Sequence, residues 1–443
     1  MKKTFKFFFA SGIILALAIL ILGKFLFSSR DNFPLFIYGV SVTTFLFFIF
    51  LVRYTKYKDP SIRKKSNKNS EKPFISCVLA VYNEEKIIGK CIDSLLNSTY
   101  KNKEIIVVND SSSDSTKKVL ENYASDEVKI INLTERKGKK KAIAEGLKIA
   151  KGEIFVFTDS DSIVAPDAIE KIIEVFIADP SIGAVSGHGR ALNANENIFT
   201  KIQDSWYETQ YSIEKAFESS YGSVTCVSGP LAVFRRAAIY NYIPAWINDK
   251  FLGREFRFAT DRQLTGYVLG NKYQGEKLKA RYSDSPFVKN ENYPTQNWKI
   301  VYCNSAHVWT NVPNTFGKII KQQVRWKKSF IRNLFFTGRF YWKKPLPVAL
   351  KYYIGAILTL VGPFIALRHL IYLPLVGNLT SGILYLSGIL LIGSIYAVAF
   401  KLEDQKSPTW KYRPLMSVIS TTIISWLLFY SLFTIRRQVW HRG

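Results

Sequence analysis

Four cysteines in 443 residues, Cys77, Cys91, Cys226 and Cys303, are scattered with no metal-ligand spacing. That excludes a disulfide-stapled secreted scaffold and a zinc ribbon, and fits a reduced cytosolic domain. Histidines are equally scarce, and His188 and His307 have no ligand partners at metal spacing, so both read as structural. No Walker-type GxxxxGK[ST] occurs, Gly187 and Gly189 do not complete a GxGxxG, and no internal repeat is visible. Acidic residues are few, 34 against 61 Lys and Arg, for a formal net charge of +27. The basic runs RKKSNKNSEK and RKGKKK belong to no nucleic-acid module, so no nucleic-acid partner is expected.

What the chain has instead is apolar residues in bunches, 48% of the total. Positive charge beside apolar spans fixes orientation and contacts anionic lipid, and a basic face favours an anionic substrate. The first run lies at about 7–27 and the second at 33–52, separated by SSRDN. A second span comes at once and no small-residue cleavage site is clear, so 1–56 reads as two transmembrane helices rather than a signal peptide. The cationic linker 57–72 places itself and the adjoining domain on the cytoplasmic side. Residues 73–312 read as a soluble domain, 313–345 as an interfacial helix region, and 346–443 as a C-terminal membrane region. Its three apolar runs lie at about 350–374, 378–400 and 414–434. Three crossings would put the basic tail TIRRQVWHRG outside; four crossings or one re-entrant segment would keep it inside, and Arg368-His369 is one place for the first run to split.

Between the membrane segments, ISCVLAVYN, EIIVVND, VKIINL and EIFVFTD are near-continuous Val/Ile/Phe runs suited to strands buried on both faces. They alternate with helical patterns, EEKIIGKCIDSLLNS, DSTKKVLENYAS and KKKAIAEGLKIAKG, which predicts right-handed βαβ units and a mostly parallel α/β sheet. Ligands in such sheets bind outside the carboxyl ends of the strands. Three of those ends carry acidic or polar residues: Tyr82 to Glu85, Asp110, and Asp159 with Asp161. Singly, each is an ordinary capping or turn sequence. Carboxylates two positions apart at a strand end can project toward one hard cation, Mg2+ or Mn2+, leaving positions open for phosphate oxygens. Further on, KQQVRWKKSF joins a planar cation, Arg325, to an aromatic face, Trp326. Taken alone, that segment is a surface-lying amphipathic helix with Trp and Lys as membrane anchors.

The order AVYNEE, VVNDSSSDST, RKGKKKAIAEGL, FTDSDS, VSGPLAVFRR, ATDRQLTGY and QQVRW resembles the family 2 processive glycosyltransferases. CVSGPLAVFRR, TDRQLT and QQVRWKKSF are similar to those of hyaluronan synthases and chitin-oligosaccharide synthases. The resemblance implies a GT-A-type nucleotide-sugar domain between N- and C-terminal transmembrane helices. It places Tyr82, Glu84, Asp110, Gly138 and Lys139 on the nucleotide. It gives Asp159 and Asp161 to the metal motif, Asp161 as the direct ligand. Ser228, Gly229 and Pro230 match the acceptor-side loop, with Cys226 near the donor. Asp261 falls at the catalytic-base position, Gln322 and Arg325 near the diphosphate, and Trp326 at the acceptor end. The chain departs from the pattern at Asn109 and Thr260, where relatives often carry acids, and at His441.

The implied activity is an inverting, processive transfer from UDP-sugars to a growing polysaccharide, which passes through the bilayer. UDP-N-acetylglucosamine is one donor, joined by UDP-glucuronate if the product is hyaluronan and alone if it is chitin-like. A non-processive transferase acting on a lipid-phosphate carrier lacks the QxxRW helix. A non-catalytic binding member rests only on Asn109 and Thr260. A surface ion pair with Arg257 or Arg262 is the plain reading of Asp261. Trp206, in WYETQYSIEKAFES, is expected to anchor a second interfacial helix, and the lysines flanking QQVRW to anchor the first. Donor identity, linkage and oligomeric state are not written in these motifs.

Overall fold

The computed structural model describes residues 3–27, 33–62, 71–258 and 260–437. Most of the RKKSNKNSEK run and the last six residues of TIRRQVWHRG lie outside them, so the charge argument for sidedness has no structural counterpart.

The predicted strands form as read. β1 (Ile75–Val81), β2 (Lys103–Asn109), β3 (Val128–Asn132) and β4 (Ile154–Phe157) are joined by helices Ile88–Leu96, Thr116–Glu121 and Lys139–Ile149. β5 (Ser162–Val164), β6 (Ile182–Ala191) and β7 (Ala232–Arg235) come next. A hairpin of β8 (Lys250–Phe251) and β9 (Arg254–Glu255) precedes the last sheet strand, β10 (Lys299–Thr310). Eight strands share one sheet in the order β3-β2-β1-β4-β7-β6-β10-β5. β7 runs against both β4 and β6, and β5 against β10; the other pairings are parallel. β1 and β2 are buried almost throughout, as expected of strands covered on both faces. Strand order reverses beside β1, since β2 lies on one side and β4 on the other. That reversal opens a crevice at their carboxyl ends.

Among the described residues, Leu35–Ile62, Leu346–Leu375 and Leu379–Glu403 are long and apolar enough to cross a membrane. The N-terminal helix Lys3–Phe27 packs on the second helix and contributes a shorter apolar stretch, Ala10–Gly23. The first C-terminal run does not split at Arg368 and His369. The helix passes through that point as a π turn, with the His369 ring hydrogen-bonded to the Ile365 carbonyl (2.8 Å). The break lies instead in the third run, where Thr409–Thr422 and Ile424–Phe433 meet at 41°.

The second helix docks on the domain. Phe48 meets Phe217 at 5.7 Å, and Phe50 meets Tyr396 at 5.2 Å. At its end, buried Arg53 pairs with Glu403 (3.0 Å) and donates to the Ser212 carbonyl. A buried pair of this kind is costly to break from one side, so it fixes where two apolar helices meet the domain.

Candidate active site

At the end of β1, Asn83 adopts a left-handed backbone (φ 53°), a conformation Asn tolerates better than most residues. It exchanges hydrogen bonds with Ser112 and Ser113 across the β2 loop. The Glu84 N–H donates to Thr116 Oγ1 at 2.9 Å. Tyr82 is partly exposed, and the Arg136 guanidinium lies 3.8 Å from its ring centroid. Sequence reasoning passed over Arg136, although it sits in the same RKGK run as Gly138 and Lys139.

Asp110 ends β2. Its two carboxylate oxygens accept the N–H groups of Lys137 (2.7 Å) and Gly138 (2.9 Å). Burial nevertheless pushes this carboxyl above its ordinary value. Gly138 has φ 85°, a backbone state that a side chain would strain, and it opens the Lys139–Ile149 helix. Asn109, which stands where relatives often carry an acid, is occupied with structure. Its amide donates to Asn132 (2.9 Å) and its oxygen accepts from Ser112 N (3.0 Å).

Two residues past β4, Asp159 pairs with Lys139, so the nucleotide-loop lysine and the metal-motif carboxylate meet directly. Asp161 accepts from Thr310 Oγ1 (3.2 Å) on β10. Among the described residues no group of three His, Cys, Asp or Glu gathers to hold an ion by itself. The donors present are hard carboxylate oxygens two positions apart, with a lysine holding one of them. They fit a divalent ion that shares its coordination with a diphosphate.

The acceptor-side loop lies against this motif. A methyl group at Gly229 would sit 3.1 Å from Asp159 Oδ2, and the Gly229 N–H donates to Asp261 Oδ2 at 3.2 Å. A side chain there would have to push the Asp159 carboxylate aside by a few tenths of an ångström. Cys226 Sγ lies 3.7 Å from the same Asp261 oxygen, so the cysteine faces this carboxylate. Thr158 Oγ1 donates to the Pro230 carbonyl at 2.7 Å. Asp261 opens the helix Thr260–Arg281, where the macrodipole favours negative charge. The plain ion-pair reading fails for Arg257, which pairs with Glu255 (2.8 Å). Arg262 acts electrostatically on Asp261 while hydrogen-bonding Cys226. Thr260 contributes its carbonyl, which accepts from Trp246 Nε1 (3.0 Å).

QQVRW lies in the helix Phe316–Thr337, capped by Thr315 and packed between the Thr260–Arg281 helix and the C-terminal apolar segment. Tyr207 links it to the strand ends. Its half-buried ring lies beside Gln322 and feels the charges of Asp161, Asp159 and Arg325. The Trp326 ring packs on Trp206 (5.5 Å) and Tyr207 (6.1 Å). Trp206 is therefore not a membrane anchor. It turns inward, against Trp326 and a cluster of Ile202, Met416 and Ile424. Lys328 is no anchor either: it is buried and donates to the Arg437 carbonyl (2.7 Å). Lys321 alone of the flanking lysines is exposed.

His188 and His307 are structural, as read. His188 bonds Tyr302 and Glu208, with its ring 5.0 Å from that of His307. Both line a cleft of about 720 Å3, with Arg190, Asp204 and Trp309, that contains none of the predicted site residues.

Comparison with known proteins agrees with this geometry. Residues 76–243 match the model of glycosyl transferase family 2. A hyaluronan synthase of Streptococcus pyogenes serotype M3 is 27% identical over 91% of this chain and 90% of its own length. An N-acetylglucosaminyltransferase of Rhizobium sp. (strain N33) is 29% identical over 59% of this chain and 53% of its own. The fold is similar to that of a mannosyltransferase from Pyrobaculum calidifontis, solved with GDP-Man and Mn2+. That likeness has a TM-score of 0.52 at 19% identity, over 93% of this chain and 98% of the other. With the acidic strand ends on a GT-A-like sheet, residues 76–243 carry a glycosyltransferase domain of family 2 type, and the chain is similar to hyaluronan synthases well beyond that domain.

Proposed function

We propose that the protein is a membrane-embedded, inverting, processive β-glycosyltransferase that alternates UDP-N-acetylglucosamine with UDP-glucuronate. The observation that carries the reading is the convergence of Asp159, Asp261 and the QxxRW helix around Gly229 and Tyr207. The similarity to hyaluronan synthases along nine-tenths of the chain supports that product over a chitin-like one.

In this reading the catalytic domain, 73–312, faces the cytoplasm between the helices of 1–56 and those of 346–443. Tyr82, Glu84 and Asp110 hold the uridine, with Gly138 closing on it. Asp161 and Asp159 hold a divalent cation, Mg2+ or Mn2+, which when bound neutralises the diphosphate leaving group. Lys139 exchanges its pairing with Asp159 for the phosphates, and Arg325 offers them its planar fork beside Gln322. Asp261 takes the proton of the acceptor hydroxyl as it attacks the anomeric carbon. One displacement turns an α-linked donor into a β-linked product. Ser228, Gly229 and Pro230 shape the acceptor side with Cys226, and Trp326 stacks on the terminal sugar. The polymer leaves through the apolar helices.

Replacing Asp261 by Asn tests the chemistry. UDP release from the purified full-length enzyme is expected to fall by about 100-fold or more, the usual worth of a general base. Unchanged turnover would remove Asp261 from that role.

A further inference from the structure

Against the acceptor-side loop, the segment Gln210–Lys215 winds as a π turn. Such turns are rare and concentrate at functional sites. This one ends on Lys215, whose ammonium group donates to the Cys226 carbonyl (2.8 Å), to Ser228 Oγ and to Ser186 Oγ (3.0 Å) on β6. The amine also lies 4.2 Å from the Tyr211 ring centroid. The neighbouring acids of the segment are engaged elsewhere: Glu214 and Glu218 both hold Lys351, at 3.0 and 2.9 Å. Lys215 therefore spends its three donors on the loop and on the strand beneath it.

Cys226 and Ser228 are also the loop's approach to Asp261. The thiol of Cys226 and the N–H next after Ser228, that of Gly229, both reach Asp261 Oδ2. We infer that Lys215 is a positioning residue for glycosyl transfer: it clamps Cys226 and Ser228, so that the loop presents Gly229 and Cys226 to the base. The inference rests on the reading of Asp261 as the general base. Its electrostatics agree with the geometry. Burial lowers the Lys215 amine to about 8, opposed by the charges of Cys226, Asp261 and Glu218 and reinforced by Arg262. The clamp is charged at neutral pH and loses its third donor as the amine deprotonates above that value.

The test uses full-length enzyme in detergent with UDP-N-acetylglucosamine, UDP-glucuronate and Mg2+ or Mn2+, monitoring UDP release against pH. Lys215→Met, of similar length and without charge, is expected to lower kcat about 100-fold, the effect of misplacing a reacting group by about 1 Å. The KM of each donor should stay within about threefold, because Tyr82, Glu84 and Asp110 sit on other loops. Lys215→Arg should keep at least a tenth of kcat and move the alkaline limb of the profile upward, since guanidinium does not titrate there. Native kcat in Lys215→Met, or an unmoved alkaline limb in Lys215→Arg, overturns the inference while leaving the proposed function intact. If Lys215→Met does not fold, the limb in Lys215→Arg decides alone. Native enzyme that releases no UDP overturns the proposed function and this inference together.

Discussion

At Gly229 the residue scale is already that of the chemistry, since the backbone N–H donates to Asp261 and the space a side chain would take is bounded by the Asp159 carboxylate. Gly229→Ala places a methyl 3.1 Å from Asp159, tighter than ordinary contact. Because a shift of about 1 Å costs about 100-fold in rate, a fall in kcat of at least 10-fold is expected in a UDP-release assay. Stability should be little changed, as the loop surface is partly open. His307 yields a prediction of a different kind. Burial, and the adjacent His188, depress its folded value to about 4, whereas the unfolded chain takes up the proton near the ordinary 6.5. Acidification through that window therefore favours the unfolded state, by roughly 2 kcal/mol after allowance for partial exposure. Thermal unfolding of native enzyme and His307→Phe at pH 7 and pH 5 checks this: the native midpoint should fall more. Residues contiguous in sequence were legible at this scale, because Asp159 and Asp161 or Gln322 and Arg325 announce themselves by spacing. Tyr207, Thr310 and Lys215 did not, since each acts across more than a hundred residues or across a turn whose π winding has no sequence signature.

Among the elements, the QxxRW helix and the Thr260–Arg281 helix meet at one buried carboxylate, Asp249, which lies on neither. Arg332, two turns beyond Arg325, holds both oxygens of Asp249, and Gln263 donates to that carboxylate at 2.7 Å. Arg332→Met leaves Asp249 buried without its counter-charge, a change that costs about 3 kcal/mol or more. The expected signs are a lower unfolding midpoint and lost transfer activity; an unchanged midpoint would mean that the pair contributes no net stability. Trp326 belongs to the same element. Its ring packs at a tilt on Trp206 and Tyr207, and in the proposed function it walls the acceptor end. Trp326→Ala should shorten the product on gel filtration more than it slows UDP release. Equal loss of both would place the ring in the chemical step. The first four strands and their helices were legible, because unbroken Val/Ile/Phe runs bounded by polar residues have few other solutions. The inward turn of Trp206 and the burial of Lys328 were not. An aromatic or a lysine beside a membrane looks alike whether it faces lipid or protein, and only the packing of distant segments decides.

For the molecule as a whole, a GT-A-like domain is fastened to apolar helices by Arg53, which holds Glu403 of one such helix and the Ser212 carbonyl of the domain, with the QxxRW helix packed between domain and C-terminal segment. The apolar runs were legible by length and hydropathy. Their breaks were not, because a π turn absorbs Arg368 and His369 without interrupting the helix, whereas the bend near Ile423 has no charged residue to mark it. In the proposed function this architecture makes synthesis and export one event. That coupling is tested by incubating purified full-length enzyme, reconstituted in lipid vesicles with its domain outward, with UDP-N-acetylglucosamine and UDP-glucuronate, singly and paired. Long polymer is expected only with both donors, sensitive to a hyaluronan-specific hydrolase and sheltered from it inside the vesicles. Polymer from UDP-N-acetylglucosamine alone, single-sugar products, or polymer left wholly outside would refute the coupling of alternating synthesis to export.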